Sequence, residues 1–328
     1  MQQRTLGRTG RDVSVIGLGT WQLGADWGDV DPADALAVLD AARGAGVTFF
    51  DTADVYGDGR SETLIGQWMR ANPDSGVTVA TKMGRRMPQL HANYTLEHFR
   101  AWTDRSRKNL GVDTLDLVQL HCPPTTVYGD DAVYDALDTL VDEGAIAAYG
   151  VSVERVEEAL AAITRPHVAT VQIILNAFRL RPLELVLPSA AAAGVGIIAR
   201  VPLASGLLSG RFTADTVFAA DDHRTFNRHG EAFDVGETFS GVDYDTGIAA
   251  AAEFTGLAAA VPGASPAQAA LAWVAAQRGV SAVIPGARTP DQARANAAAG
   301  SVELPPGFAD AVRDLYDRRI RADVHGRW

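Results

Sequence analysis

Four polar side chains stand at or just beyond the ends of three successive apolar runs. Asp51 closes the run Val47–Asp51, and Tyr56 follows it in Phe50-Asp51-Thr52-Ala53-Asp54-Val55-Tyr56-Gly57. Lys82 follows Val77–Thr81, and His121 closes Leu115–His121. Singly, each has a bland reading: a turn cap, an interface aromatic, a solvated cation, a core imidazole. Together they form a proton-transfer set. A free tyrosine titrates near pH ~10 and is a poor acid at neutral pH. A neighbouring ammonium, Lys82, is expected to lower that value. Asp51 would hold the ammonium in place. His121 would orient a substrate oxygen and support its developing negative charge. Such a set suits protonation of an alkoxide formed when hydride reaches a carbonyl. It lacks the ligand cluster of a catalytic metal, so no metal is expected.

Composition sharpens the case for Lys82. Of 29 basic residues in 328, only Lys82 and Lys108 are lysine. Where arginine has displaced lysine almost everywhere, a surviving lysine is a candidate for chemistry that a permanently charged guanidinium cannot supply. Lys108 lies in a charged helical stretch and keeps a bland reading. The net charge of −11 argues against nucleic acid or an anionic membrane as the main partner. A single cysteine, Cys122, excludes an intrachain disulfide and a Cys-rich zinc site. It reads as a small packed neighbour of His121. No apolar run approaches the ~18–20 residues that span a bilayer. The first residues lack a signal peptide's apolar core, so a cytoplasmic location is expected.

Eight apolar runs must position these groups: Val15–Gly19, Val47–Asp51, Val77–Thr81, Leu115–His121, Ile146–Val151, Ala169–Leu175, Gly196–Val201 and Ser281–Pro285. Continuous apolar runs suit strands buried on both faces of a parallel sheet. Helical stretches fall between them. Asp31-Pro32 opens one, Thr95–Leu110 and Ala132–Glu143 are two more, and Ser265-Pro266-Ala267-Gln268 and Thr289-Pro290-Asp291-Gln292 read as capping boxes. Alternation of this kind implies a doubly wound sheet or a (β/α)8 TIM barrel. The dinucleotide fingerprint of the open sheet is absent after the first run, where Gly17-Leu18-Gly19-Thr20-Trp21 places a tryptophan in the loop. The barrel is therefore expected, as a single domain over residues 1–328. Residues 2–14 read as an N-terminal hairpin capping its bottom. Residues 212–245, after the seventh barrel strand, read as a lid rich in aromatics: Phe218, Phe226, Phe233, Phe239 and Tyr244.

With Asp51, Tyr56, Lys82 and His121 in this order and spacing, the sequence resembles the aldo-keto reductase superfamily over nearly its whole length. The resemblance implies an α/β barrel, a nicotinamide cofactor and reduction of aldehydes or ketones to alcohols, with Tyr56 as general acid. It implies cofactor contacts at Gly19, Thr20, Trp21 and Asp51, at Ser152 in Gly150-Val151-Ser152, and at Gln172. Val153 stands where an asparagine is usual. Pro202-Leu203-Ala204-Ser205-Gly206-Leu207-Leu208-Ser209-Gly210-Arg211 resembles a pyrophosphate clasp, so Pro202, Leu203, Ser205, Gly206, Leu208 and Arg211 are cofactor candidates. Arg200 replaces a common stacking aromatic and would either stack on the nicotinamide or reach phosphate. Ile284, Gly286, Arg288, Gln292 and Asn296 lie in a segment resembling the adenosine-phosphate site. Arg288 would grip a 2′-phosphate, so NADPH (NADP+) is expected over NADH.

The substrate pocket is expected to use Trp21, Trp27, Tyr56, Met83 and His121, an apolar set suited to aromatic or medium-chain carbonyls. The expected partner is a small carbonyl substrate, bound by a protein expected to be a monomer. The rival reading is a cofactor-binding sensor or regulatory subunit on the same fold, since potassium-channel beta subunits resemble this family. A third is a lyase or isomerase using Lys82 as a Schiff base.

Overall fold

The computed structural model describes residues 1–24 and 30–328. Two short antiparallel strands come first, β1 (Gln3–Thr5) and β2 (Asp12–Ser14). Eight parallel strands follow: β3 (Leu18–Gly19), β4 (Phe49–Asp51), β5 (Thr78–Met83), β6 (Leu117–His121), β7 (Tyr149–Ser152), β8 (Val168–Ile174), β9 (Gly196–Arg200) and β10 (Val280–Val283). They lie side by side in chain order. Bridges between Ile16 and Val283 and between Gly19 and Gly286 bring the two ends together. The result is a (β/α)8 barrel, with each strand overlapping one of the eight apolar runs.

Parallel neighbours need crossovers, and helices supply them. Asp31 caps the helix Pro32–Gly44, with its side chain accepting from the Ala33 amide. Ser265 and Gln268 form the reciprocal capping box of Pro266–Ala275. At Pro290–Ala298 only half of that box forms. Thr289 accepts from the Gln292 amide, but the Gln292 side chain turns to the Arg288 amide instead of the cap. The helices Arg60–Ala71, Val186–Ala193 and Phe308–Arg319 begin without a side-chain cap.

The barrel interior is packed. Phe49, Ala80, Leu117, Ile198, Ala282 and Ile284 meet inside it, and Leu6 and Val13 of the hairpin plug the lower end. Gly7 explains the plug's close fit. It adopts φ +52°, and a Cβ there would stand 2.1 Å from the Ala169 carbonyl oxygen. A far larger cluster lies between the barrel's outer face and the helices. No helix among the described residues is long and apolar enough to cross a membrane.

Residues 212–245 hold a one-turn helix, His223–Phe226, and two 3-10 turns, Val235–Glu237 and Phe239–Gly241. Its aromatics divide into two groups. Phe218, Phe239 and Tyr244 pack on one another, while Phe226 and Phe233 face the cavity at the top of the barrel.

The plug predicts a stability effect remote from the chemistry. Leu6→Ala removes a fully buried side chain and should cost about 2–5 kcal/mol. Urea denaturation checks it, and an unchanged midpoint would contradict the packing account.

Candidate active site

Strand ends at the top of a parallel barrel converge on one space, so their terminal side chains meet. Asp51 ends β4, and Lys82 lies one residue from the end of β5. His121 ends β6, Ser152 ends β7 and Arg200 ends β9. Above them lies a cavity of about 740 Å³, running from Tyr56 and His121 to Arg288 and Asn296.

The four candidate catalytic residues come together. Lys82 Nζ donates to Asp51 Oδ1 at 2.5 Å and to the Thr52 carbonyl at 2.8 Å. The Tyr56 hydroxyl lies 3.4 Å from the same nitrogen. The rings of Tyr56 and His121 meet edge to face at 5.9 Å. Lys82 and Asp51 are buried. Gln119 and Gln172 both donate to Asp51 Oδ2, at 3.1 and 2.8 Å, so both carboxylate oxygens are satisfied.

Backbone around Tyr56 is stitched by buried hydroxyls. Thr52 Oγ1 donates to Ser61 Oγ at 2.9 Å, and Thr20 Oγ1 donates to the Asp51 carbonyl at 2.9 Å. Gly57 (φ +57°) lets the loop through Gly24 press on Tyr56, since a Cβ there would stand 1.9 Å from the Gly24 oxygen.

Burial would discharge the Lys82 ammonium, but Asp51 outweighs it and Lys82 titrates above its ordinary value. Tyr56 departs from expectation. Burial raises its pKa, Lys82 opposes the rise, and Asp51 and Glu237 add to it. The net direction is upward, so the phenol keeps its proton at neutral pH. His121 is pushed well below its ordinary value by burial and then by Arg85, Lys82 and Arg200. It is a neutral imidazole. Burial pushes the Cys122 thiol up to about 12, consistent with a packed thiol and no nucleophile. Lys82, held by Asp51 and charged, does not suit a Schiff base, which needs a neutral accessible amine.

The cofactor candidates nearly all line this cavity. Leu208 is the exception: its side chain lies in the core. Val201, Ala204 and Ser205 adopt positive φ of 52°, 48° and 55°. Such strain, about 1–3 kcal/mol per residue, persists where the surroundings enforce a functional loop shape. The Arg288 guanidinium is exposed and pairs with no carboxylate among the described residues. Cavity shape, strained loop and unpaired cation together fit an extended phosphate-bearing cofactor.

One expectation needs correction, one falls outside the described residues and one is narrowed. Met83 lies in the core, its sulfur 3.9 Å from Thr103 Oγ1, because the side chain after Lys82 points to the opposite face of β5. Trp27 falls outside the described residues. Arg200 faces the cavity but is already committed: it pairs with Glu154 at 2.9 Å and with Glu237 at 2.5 Å. Burial works against its charge, yet the two carboxylates hold its pKa well above the usual value.

Several site residues escaped sequence reasoning. Arg85, His223, Phe212 and Glu237 line the cavity. His223 packs 5.2 Å from the Trp21 ring, and burial pushes its pKa down to about 4. Gln119 had one visible signal, a polar residue inside the apolar run Leu117-Val118-Gln119-Leu120.

A barrel with this proton-transfer set below one end of a long cavity, and an anion-ready helix start at the other, is built as a nicotinamide-dependent oxidoreductase. The chain belongs to the aldo/keto reductase family, whose model matches residues 15–317. It is an NAD(P)H-dependent oxidoreductase. An uncharacterized oxidoreductase of Mycobacterium tuberculosis is 33% identical over 323 residues, covering 96% of this chain and 93% of that one. A glycerol dehydrogenase from Gluconobacter oxydans superimposes with a TM-score of 0.79 at 28% identity, covering 97% of this chain and 96% of its own. An aldo-keto reductase from Klebsiella pneumoniae solved with NADPH has a TM-score of 0.71 at 25% identity, with 96% of each chain covered.

Asp54, on the Tyr56 loop, yields a pH prediction. Both of its carboxylate oxygens are buried with no hydrogen-bond partner among the described residues. Burial, with Glu62 adding, raises its pKa to about 7. The folded state then binds more protons than the unfolded state between pH ~4 and ~7. Stability from this group is full below that window and lost as pH rises through it. Relative to Asp54→Asn, the wild type should lose on the order of 4 kcal/mol across the window. Denaturation series at several pH values check it, and a constant difference would contradict it.

Proposed function

We propose that the protein is an NADPH-dependent reductase of aldehydes and ketones, with Tyr56 as general acid. One observation carries the reading: Lys82, fixed by Asp51 and Thr52, stands 3.4 Å from a protonated, cavity-facing tyrosine beside a neutral histidine. A bound NADPH supplies the hydride. Tyr56 holds its proton because burial keeps the phenol neutral. Developing charge on the substrate oxygen is met by the phenol and by His121. Lys82 stabilises the phenolate that remains after proton transfer, lowering the cost of a step that burial alone would make steep.

The chain's own groups would hold the cofactor along the cavity. Ser152 and Gln172 stand at the nicotinamide end. The strained loop after Val201 suits the pyrophosphate. Arg288, at the start of Pro290–Ala298, suits a 2′-phosphate, where helix N-terminus and guanidinium act together. Arg200 acts through Glu237, anchoring residues 212–245 as a lid. Ser205 strengthens that anchor: its hydroxyl donates to the Glu237 carbonyl at 3.0 Å and accepts from the Phe239 amide at 3.0 Å.

Tyr56→Phe should lower kcat by roughly 10²–10⁴ while NADPH binding survives. Turnover at the wild-type rate would reject the acid role. Cofactor binding with no consumption across many carbonyls would favour the regulatory reading. The wild type should prefer NADPH to NADH. Arg288→Glu should raise KM for NADPH at least about tenfold, the worth of a charge-assisted contact, and spare NADH. Equal KM values unchanged by the substitution would contradict the assignment.

A further inference from the structure

Arg85 is a cation at the substrate end that the reduction chemistry does not use. It sits three residues beyond Lys82, and its side chain, 24% exposed, opens into the cavity. Its Nε donates to the His121 carbonyl at 3.1 Å. That bond holds the guanidinium beside the catalytic imidazole. Arg85 is also the foremost charge depressing the His121 pKa, ahead of Lys82.

Its terminal nitrogens are less engaged. Among the described residues they form one ion pair, with Glu154 Oε1 at 3.7 Å, too long for a hydrogen bond. The other oxygen of Glu154 belongs to Arg200, as does Glu237 Oε2. The end nitrogens of Arg200 are thus taken by two carboxylates, while the Arg85 end nitrogens donate no hydrogen bond among the described residues. The other arginines beyond β5 are spent elsewhere: Arg86 and Arg105 pair with Asp58. A planar fork of N–H donors fixed at its stem and open at its tip is suited to one ligand class, a carboxylate bound bidentately.

We infer that Arg85 is a specificity-determining residue that receives a substrate carboxylate, so that the enzyme acts on aldehydes or ketones carrying an acidic group. This rests on the carbonyl reduction proposed above and names its substrate class. It replaces the apolar pocket expected from the sequence with an amphipathic one. Trp21, Phe226 and Phe233 cover the carbon skeleton, Tyr56 and His121 take the carbonyl, and Arg85 takes the acid.

The test compares acidic aldehydes with neutral parents: succinic semialdehyde with butanal, and meta- and para-carboxybenzaldehyde with benzaldehyde. Wild-type kcat/KM should favour at least one acid over its parent by about tenfold or more. Arg85→Gln should lose about 10- to 100-fold more on that acid than on the parent, mainly in KM. Arg85→Lys, which keeps the charge and guards against a folding artefact, should recover part of the loss. A purely structural Arg85, serving only to pin the His121 carbonyl, would depress acid and parent alike. That result overturns the inference, as does a wild type indifferent to the acid. Benzoate binding to the NADP+ complex, followed by calorimetry, separates this inference from the reduction reading. If no carbonyl is turned over, the reduction reading falls, and benzoate affinity decides Arg85 alone. A loss of about tenfold in Arg85→Gln supports it, and unchanged or absent benzoate binding overturns it.

Discussion

Two opposite charges lie inside the top of the barrel where water does not reach them, and the site is arranged around their need for each other. An isolated buried ammonium or carboxylate would neutralise itself by changing its pKa. Lys82 keeps its proton because Asp51 meets it at 2.5 Å and the Thr52 carbonyl at 2.8 Å. Gln119 and Gln172 donate to the second oxygen of Asp51, so neither oxygen of its carboxylate is left without a partner. Removing one member of such a pair typically costs about 3–5 kcal/mol, because the survivor is stranded. The strands β4, β5, β6 and β8 each supply a member, so closing the barrel and building the site are one event. Tyr56 then stands where this arrangement meets the cavity.

A second charged group uses the same logic for a different purpose. Arg200 is shared between Glu154, just beyond β7, and Glu237, on the 212–245 segment. One guanidinium therefore ties the excursion to the barrel rim. The tie leaves Glu154 Oε1 with no hydrogen bond among the described residues and with only a 3.7 Å ion pair to Arg85. The rim thus carries one arginine with two close carboxylate partners and one with a single longer ion pair.

Much of this was legible in the amino-acid order. The eight strands could be read because a barrel strand is apolar on both faces, so each appears as an unbroken run. The four candidate catalytic residues could be read because strand ends converge, so polar residues closing successive runs must meet. Helices with Pro at their start and Asp, Ser or Thr before it were equally visible, whereas Arg60–Ala71 begins after Gly59 with no capping side chain to announce it. What stayed hidden depends on contacts across the fold. Glu237 finds Arg200 only after the 212–245 segment folds back. Tyr56 was expected to titrate low beside Lys82, but the depth of its burial cannot be read from spacing, and burial wins. Met83 reads as part of an apolar pocket, but strand alternation turns the side chain after Lys82 into the core.

The central claim is that the Lys82–Asp51 pair is there to make Tyr56 a competent proton donor, beyond filling the barrel top. The double variant Asp51→Asn/Lys82→Met tests it most directly, because it removes both charges and strands neither. The account predicts a cooperatively folded protein that still binds NADPH. With a reducible aldehyde its single-turnover NADPH oxidation should be at least about 100-fold slower than wild type, the scale of general acid catalysis. Oxidation at the wild-type rate in that folded variant would contradict the account.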